Sequence, residues 1–101
     1  MSEKLKVAKT QDLNEGAGIQ VQAGDKQFAV FKCDGQVYAL NGVCPHRGGP
    51  LGEGFVQGGR VTCPWHGWTF DVKSGQHAMN PGIQVPSYPV TVEGDDVYVT
   101  V

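Results

Sequence analysis

Apolar and polar residues alternate along much of the chain with a period of two, the period of a strand with one buried and one exposed face. The pattern is clearest near the C-terminus. In SYPVTVEGDDVYVTV (87–101), Val90, Val92, Val97, Val99 and Val101 alternate around the turn from Glu93 to Asp96, which predicts a hairpin. KQFAVFKCDGQVYAL (26–40) gives a second pair of β-rich runs around Asp34-Gly35, a strong two-residue turn signal. KLKVAK (4–9) and QVQAG (20–24) read as weaker strands. RVTC (60–63) and WTFDV (68–72) can pair with each other, and SGQ (74–76) reads as a turn. Only QDLNEGAG (11–18) can hold a helical turn, and its glycines keep that short. Much of the glycine falls between 42 and 67, which therefore reads as loops. The expected fold is all-β, an antiparallel β-sandwich or small barrel forming a single domain over residues 1–101, with the Gly/Pro-rich middle as its loops.

Length and charge narrow the functional classes. A chain of 101 residues buries roughly two-thirds of its unfolded surface, a thin margin to which a bound metal would add. The net charge is −2 and no basic run occurs, so nucleic acid and membrane surfaces are not expected partners. MSEKLKVAKT lacks the apolar segment of a secretory signal, and no run approaches the roughly 20 apolar residues of a membrane span. Three cysteines are too few and too odd in number for a disulfide framework. A reducing, cytoplasmic setting is expected.

The chemistry concentrates in two short segments. CPHRGGPLGEG (44–54) supplies Cys44 and His46; CPWHGWTF (63–70) supplies Cys63 and His66. The pattern is C-x-H, a gap of 16 residues, then C-x-x-H. Chance is a weak explanation for four soft donors in two Gly/Pro loops. Structural zinc accepts two cysteines and two histidines, but it usually pairs cysteine with cysteine and histidine with histidine in sequence. A two-iron, two-sulfide cluster with two histidine ligands fits the mixed spacing better. If both thiolates take one iron and both imidazoles the other, each loop must reach both metals, and so needs one donor of each kind. Gly48, Gly49, Gly52 and Gly67 would let backbone approach the cluster.

CPHRGGPLGEG and CPWHGWTFDVKSG resemble the two cluster loops of Rieske proteins, most closely the soluble Rieske-type ferredoxins and the Rieske domains of bacterial ring-hydroxylating oxygenases. The resemblance implies one [2Fe–2S] cluster per chain in a cluster-binding subdomain built from the two loops. Cys44 and Cys63 would hold the inner iron, and His46 and His66 the outer one. NPGIQVPSYPV (80–90) is similar to the family's proline-containing third loop, with Pro81-Gly82 at its tip, although Pro81-Gly82 alone also reads as a surface turn. Respiratory Rieske proteins carry a disulfide cysteine in each loop, where this chain has Gly49 and Trp65. They also place serine and tyrosine hydroxyls at Trp68 and Phe70. The resemblance thus points to the low-potential, disulfide-free branch, near about −150 mV.

The remaining cysteine and histidine read as structural. Cys33 is expected to be a small buried apolar residue. His77 is expected to be exposed, and Trp68 and Phe70 to lie on opposite faces of a strand. With His77 the only spare histidine, the chain lacks the two histidines and carboxylate of a mononuclear iron site, and it has no G-x-G-x-x-G fingerprint. It is therefore expected to be an electron-transfer protein, not an enzyme. It would carry single electrons from a flavin-dependent reductase to a terminal oxygenase, as a monomer. Docking is expected at an exposed tip made of His46, His66, Pro50, Leu51 and Trp65. The alternative is the small Rieske-like subunit of an assimilatory nitrite reductase or another redox enzyme.

Overall fold

The computed structural model describes residues 4–43, 50–64, 67–80 and 82–100. Among these, the chain forms ten strands in three antiparallel sheets, with two 3-10 turns at Thr10–Asp12 and Leu51–Glu53. The first sheet has the order β1 (Lys4–Lys9), β10 (Asp96–Thr100), β9 (Val90–Glu93). The second has the order β2 (Ala17–Ala23), β3 (Lys26–Cys33), β4 (Gln36–Asn41), β8 (Ser87–Tyr88). The third is β5 (Phe55–Gln57), β6 (Arg60–Thr62), β7 (Thr69–Asp71).

The second sheet is the middle layer, and β3 shows why. Its run FAVF has no polar position because both faces are covered, the condition under which a strand reads as continuously apolar. Phe28 and Val30 face one core with Val7, Ala8, Leu13, Ala39, Val97 and Val99. Ala29, Phe31 and Cys33 face a second core with Leu40, Leu51, Val61, Cys63, Phe70, Val72 and Val85. The first core joins β3 and β4 to the terminal sheet; the second joins them to the short third sheet.

Both expected hairpins form. Asp34 and Gly35 adopt φ of 54° and 77°, the doubly left-handed pair that matches strand twist in a two-residue turn. The Glu15 carboxylate accepts the N–H groups of Asp34 (2.6 Å) and Gly35 (2.8 Å), fastening this turn to the start of β2. In β1 the register shifts between Lys6 and Ala8, and this irregularity lets the neighbours Val7 and Ala8 both point inward.

Three details differ from the sequence reading. The short helical turn covers Thr10–Asp12, and Ala17 and Gly18 already belong to β2, paired with Lys32 and Phe31. The run 87–92 is two strands: Pro89 has no N–H for a ladder, so Ser87 and Tyr88 pair with β4 while Val90 onward pairs with β10. The glycine-dense middle is not all loop, because Phe55–Gln57 pairs with Arg60–Thr62 across Gly58-Gly59.

Candidate metal centre

Hydrogen bonds among the described residues close the base of each donor segment. The first leaves β4. Asn41 Oδ1 accepts the Val43 N–H at 2.9 Å, Val43 and Pro50 form an antiparallel bridge, and Leu51 N–H donates to Gly42 O at 3.0 Å. The Gln20 side chain spans the same base. Its Nε2 donates to Gly42 O at 2.8 Å and to Gln27 Oε1 at 3.0 Å, while its Oε1 accepts the Gly52 N–H at 2.8 Å. A primary amide offers a donor and an acceptor on one planar group, so it ties the strand leaving β4 to the turn after the loop. Gly52 has to be glycine here, because a Cβ would lie 2.4 Å from Ile19 O.

The second loop rises from the hairpin β6–β7. Thr62 pairs with Thr69, their hydroxyl oxygens are 3.1 Å apart, and the next residue, Cys63, donates its N–H to Trp68 O at 2.7 Å. Gly67 sits in the left-handed region at φ 74°, which turns the chain back toward that bond. Cys63 is 2% exposed and belongs to the same core as Leu51, so the bases of both loops share one apolar floor.

Of the four predicted donors, the structure places Cys63; Cys44, His46 and His66 lie outside the described residues, as do Gly48, Gly49, Trp65 and Pro81. What is described fits a metal cluster. A cysteine at the top of an apolar core is a soft donor shielded from water, and its thiolate is costly to bury without a cation. Leu51 and Cys63, at the bases of the C-x-H and C-x-x-H segments, lie in the same core.

Three expectations need correction. Leu51 is not on an exposed tip: it is fully buried, because it opens a 3-10 turn whose apolar side chain packs into the core beside Cys63. Pro50 beside it is half-buried. His77 is 9% exposed, not solvated. Trp68 and Phe70 do not face opposite ways; two residues apart in an extended segment, they share a side, and both rings contact His77, at centroid distances of 4.9 and 5.3 Å. Cys33 is buried, as expected. Its thiol lies near the Glu15 and Asp34 carboxylates, but Glu15 is already committed to the turn N–H groups.

The residues that sequence reasoning missed are Gln20, Asn41 and His77. Each is polar, each holds backbone at a loop base or turn, and none belongs to a motif. Only Asn41-Gly42 carries a local signal, since asparagine before glycine favours a turn closed by its own side chain.

The model of the Rieske [2Fe-2S] domain matches residues 3–89. The chain belongs to the Rieske [2Fe-2S] family. Among its relatives is the ferredoxin component of the naphthalene 1,2-dioxygenase system of Pseudomonas aeruginosa, 32% identical over 87% of this chain and 86% of that one. Human apoptosis-inducing factor 3 is 36% identical over 92% of this chain, which spans only 16% of that longer protein. Among solved structures, a complex of reduced oxygenase and oxidized ferredoxin in carbazole 1,9a-dioxygenase matches with a TM-score of 0.84 and 33% identity, covering 95% of this chain and 91% of the matched one. A Mycobacterium tuberculosis protein provisionally described as the small subunit of an NADH-dependent nitrite reductase matches with a TM-score of 0.88 and 27% identity, covering 100% of this chain and 96% of that one. Membership of the Rieske family accounts for the paired loops: one [2Fe–2S] cluster is the group that this domain holds.

Proposed function

We propose that this Rieske protein is a one-electron carrier that takes electrons from a flavin-dependent reductase and delivers them to a terminal oxygenase. The observation that carries the reading is the likeness to a dioxygenase ferredoxin component over 87% of this chain and 86% of that one, together with two donor segments whose hydrogen-bonded bases share a core with the buried Cys63. Cys44 and Cys63 would hold one iron of the cluster, and His46 and His66 the other. When bound, the cluster supplies a one-electron couple. The chain's own part is to hold the bases of both loops and to exclude water from the Cys63 side through Leu51, Val61 and Phe70.

The docking surface differs from the one expected from sequence, because Leu51 is buried. Val43 (42% exposed), at the base of the first loop, and Met79 (86%), beside the turn at Asn80–Gly82, are apolar groups at this end of the molecule. With the half-buried Pro50 they are the described residues of the proposed docking patch, of the small size usual for transient redox encounters, below about 1,200 Å²; Trp65, His46 and His66, which lie outside the described residues, are proposed to complete it. A single domain over 1–101, a monomer and a cytoplasmic location go with this reading.

The test is a stopped-flow experiment. The oxidised protein should take up one electron per chain and, once reduced, be reoxidised on mixing with a terminal oxygenase. Met79→Asp should slow that reoxidation without altering the visible spectrum. A protein that neither accepts an electron nor passes one on would sink the proposal. The likeness to the nitrite reductase subunit favours a second reading, a tightly held enzyme subunit, which predicts co-purification with a larger partner in equal amounts.

A further inference from the structure

We infer that His77 is a positioning residue for the cluster site, acting as a neutral imidazole with its proton on Nε2 and joining the base of the second donor loop to the turn at Asn80–Gly82. The inference rests on the reading that these loops hold the cluster.

The hydrogen bonds fix the tautomer. His77 Nδ1 accepts the backbone N–H groups of Met79 at 3.0 Å and Asn80 at 3.1 Å. A ring nitrogen that accepts two N–H groups cannot carry a proton itself, so the ring proton sits on Nε2. The backbone around the ring is equally committed. His77 N–H donates to Ile83 O at 2.9 Å, Ala78 N–H donates to Thr69 O at 2.8 Å, and His77 bridges to Phe70. Asn80 then continues the turn, its Oδ1 accepting Gly82 N–H at 3.1 Å and its carbonyl accepting Ile83 N–H at 3.0 Å.

The ring joins two parts of the site. One side holds Met79 and Asn80 through Nδ1. The other meets Trp68 edge-on, at an interplanar angle of 80°, and the Trp68 carbonyl accepts the Cys63 N–H. A shift of the imidazole therefore disturbs the base of the loop that bears Cys63 and the segment that leads into Pro81 together. Histidine suits the position because it combines an aromatic body, which packs between Trp68 and Phe70, with an acceptor at the δ position. Phenylalanine would keep the packing and leave both N–H groups without an acceptor. Asparagine places an oxygen where Nδ1 stands, whereas glutamine places it one bond further out.

The test uses the cluster-loaded protein and its His77→Phe, His77→Asn and His77→Gln variants. Amide hydrogen exchange at Met79 and Asn80 is read alongside the midpoint potential. Loss of the acceptor in His77→Phe and His77→Gln should speed exchange at both amides by about tenfold or more. His77→Asn should restore protection, and the potential should shift in the first two variants and return in the third. Equal exchange in His77→Asn and His77→Phe, or wild-type protection in His77→Phe, would overturn the inference. Altered exchange with an unmoved potential would also overturn it, since the contact would then be structural only. Should the variants fail to fold, nitrogen-15 correlation spectra of the wild-type ring decide the matter: a proton on Nε2 supports the assignment and one on Nδ1 refutes it. Wild-type protein that binds no iron would refute the function proposed above while leaving the exchange comparison intact.

Discussion

The two cores of this protein are built in different ways. Between the terminal sheet and β3–β4, long strands alternate aliphatic side chains, and Phe28, Val30, Val97 and Val99 are completely buried. At the donor end the three strands β5, β6 and β7 have three residues each. Sheets so short have little stability of their own. This end borrows the other face of β3 and β4 for its floor and relies on side chains such as Gln20, Asn41 and His77 to hold its backbone. One core is held by burial. The other is held by burial, polar brackets and the metal it binds.

The largest effect expected from this contrast is on metal binding. Alanine at Cys44, His46, Cys63 or His66 should abolish iron binding and loosen β5–β7 in hydrogen exchange, because loop folding and metal binding are one equilibrium. The terminal sheet should keep its protection. Cys33→Ser, in the same core but away from the loops, should leave iron content intact. Iron retained by Cys63→Ala would break the distinction.

Truncations in the two cores should be costly in different ways. Phe28→Ala should cost about 3–5 kcal/mol by denaturant unfolding, with a normal visible spectrum in the molecules that remain folded. Leu51→Ala should cost about 2–5 kcal/mol and also speed iron loss to a chelator, because Leu51 floors the site. A Leu51→Ala variant as stable as wild type would mean that the side chain is exposed after all.

The polar bracket is a smaller term. Gln20→Leu removes the acceptor for Gly52 N–H and the donor to Gly42 O, and should cost about 1–3 kcal/mol. Iron release should quicken, while exchange in β9–β10 stays unchanged. Equal loosening of both ends would show that Gln20 serves the whole fold and not the loop base.

The smallest expected effect is on potential. Trp68→Ser with Phe70→Tyr supplies the hydroxyl donors that high-potential relatives carry at those positions. If each bond to cluster sulfur favours the reduced state by about 1–1.5 kcal/mol, the midpoint should rise by roughly 40–65 mV per bond. Voltammetry that finds no rise would remove the hydrogen-bond account of the low potential expected from the sequence.

The same contrast explains what could be read from the sequence. Alternation and the Asp34-Gly35 turn are local signals and Cys33 is a small apolar residue, so the hairpins and the burial of Cys33 were legible. Gln20 acts on Gly52 and Gly42, more than twenty residues away, and nothing in a local pattern marks it. Leu51 was misread because a leucine after Gly-Gly-Pro looks like part of a loop tip until its 3-10 turn is seen to face inward. His77 was misread because its partners are backbone N–H groups two and three residues onward, which leave no trace in residue identity. Pro89, which has no N–H for a ladder, marks the break between β8 and β9, but the β-rich residues on both sides of it mask that signal.

The central claim is that the donor end holds a [2Fe–2S] cluster through two cysteines and two histidines. Iron and acid-labile sulfide analysis, with pulsed electron-spin-resonance of the reduced protein, tests it most directly. The account predicts two irons and two sulfides per chain, as the family's cluster requires, and two strongly coupled nitrogen nuclei from the histidine-bound iron. Zinc without sulfide, or a reduced cluster with no strongly coupled nitrogen, would contradict it.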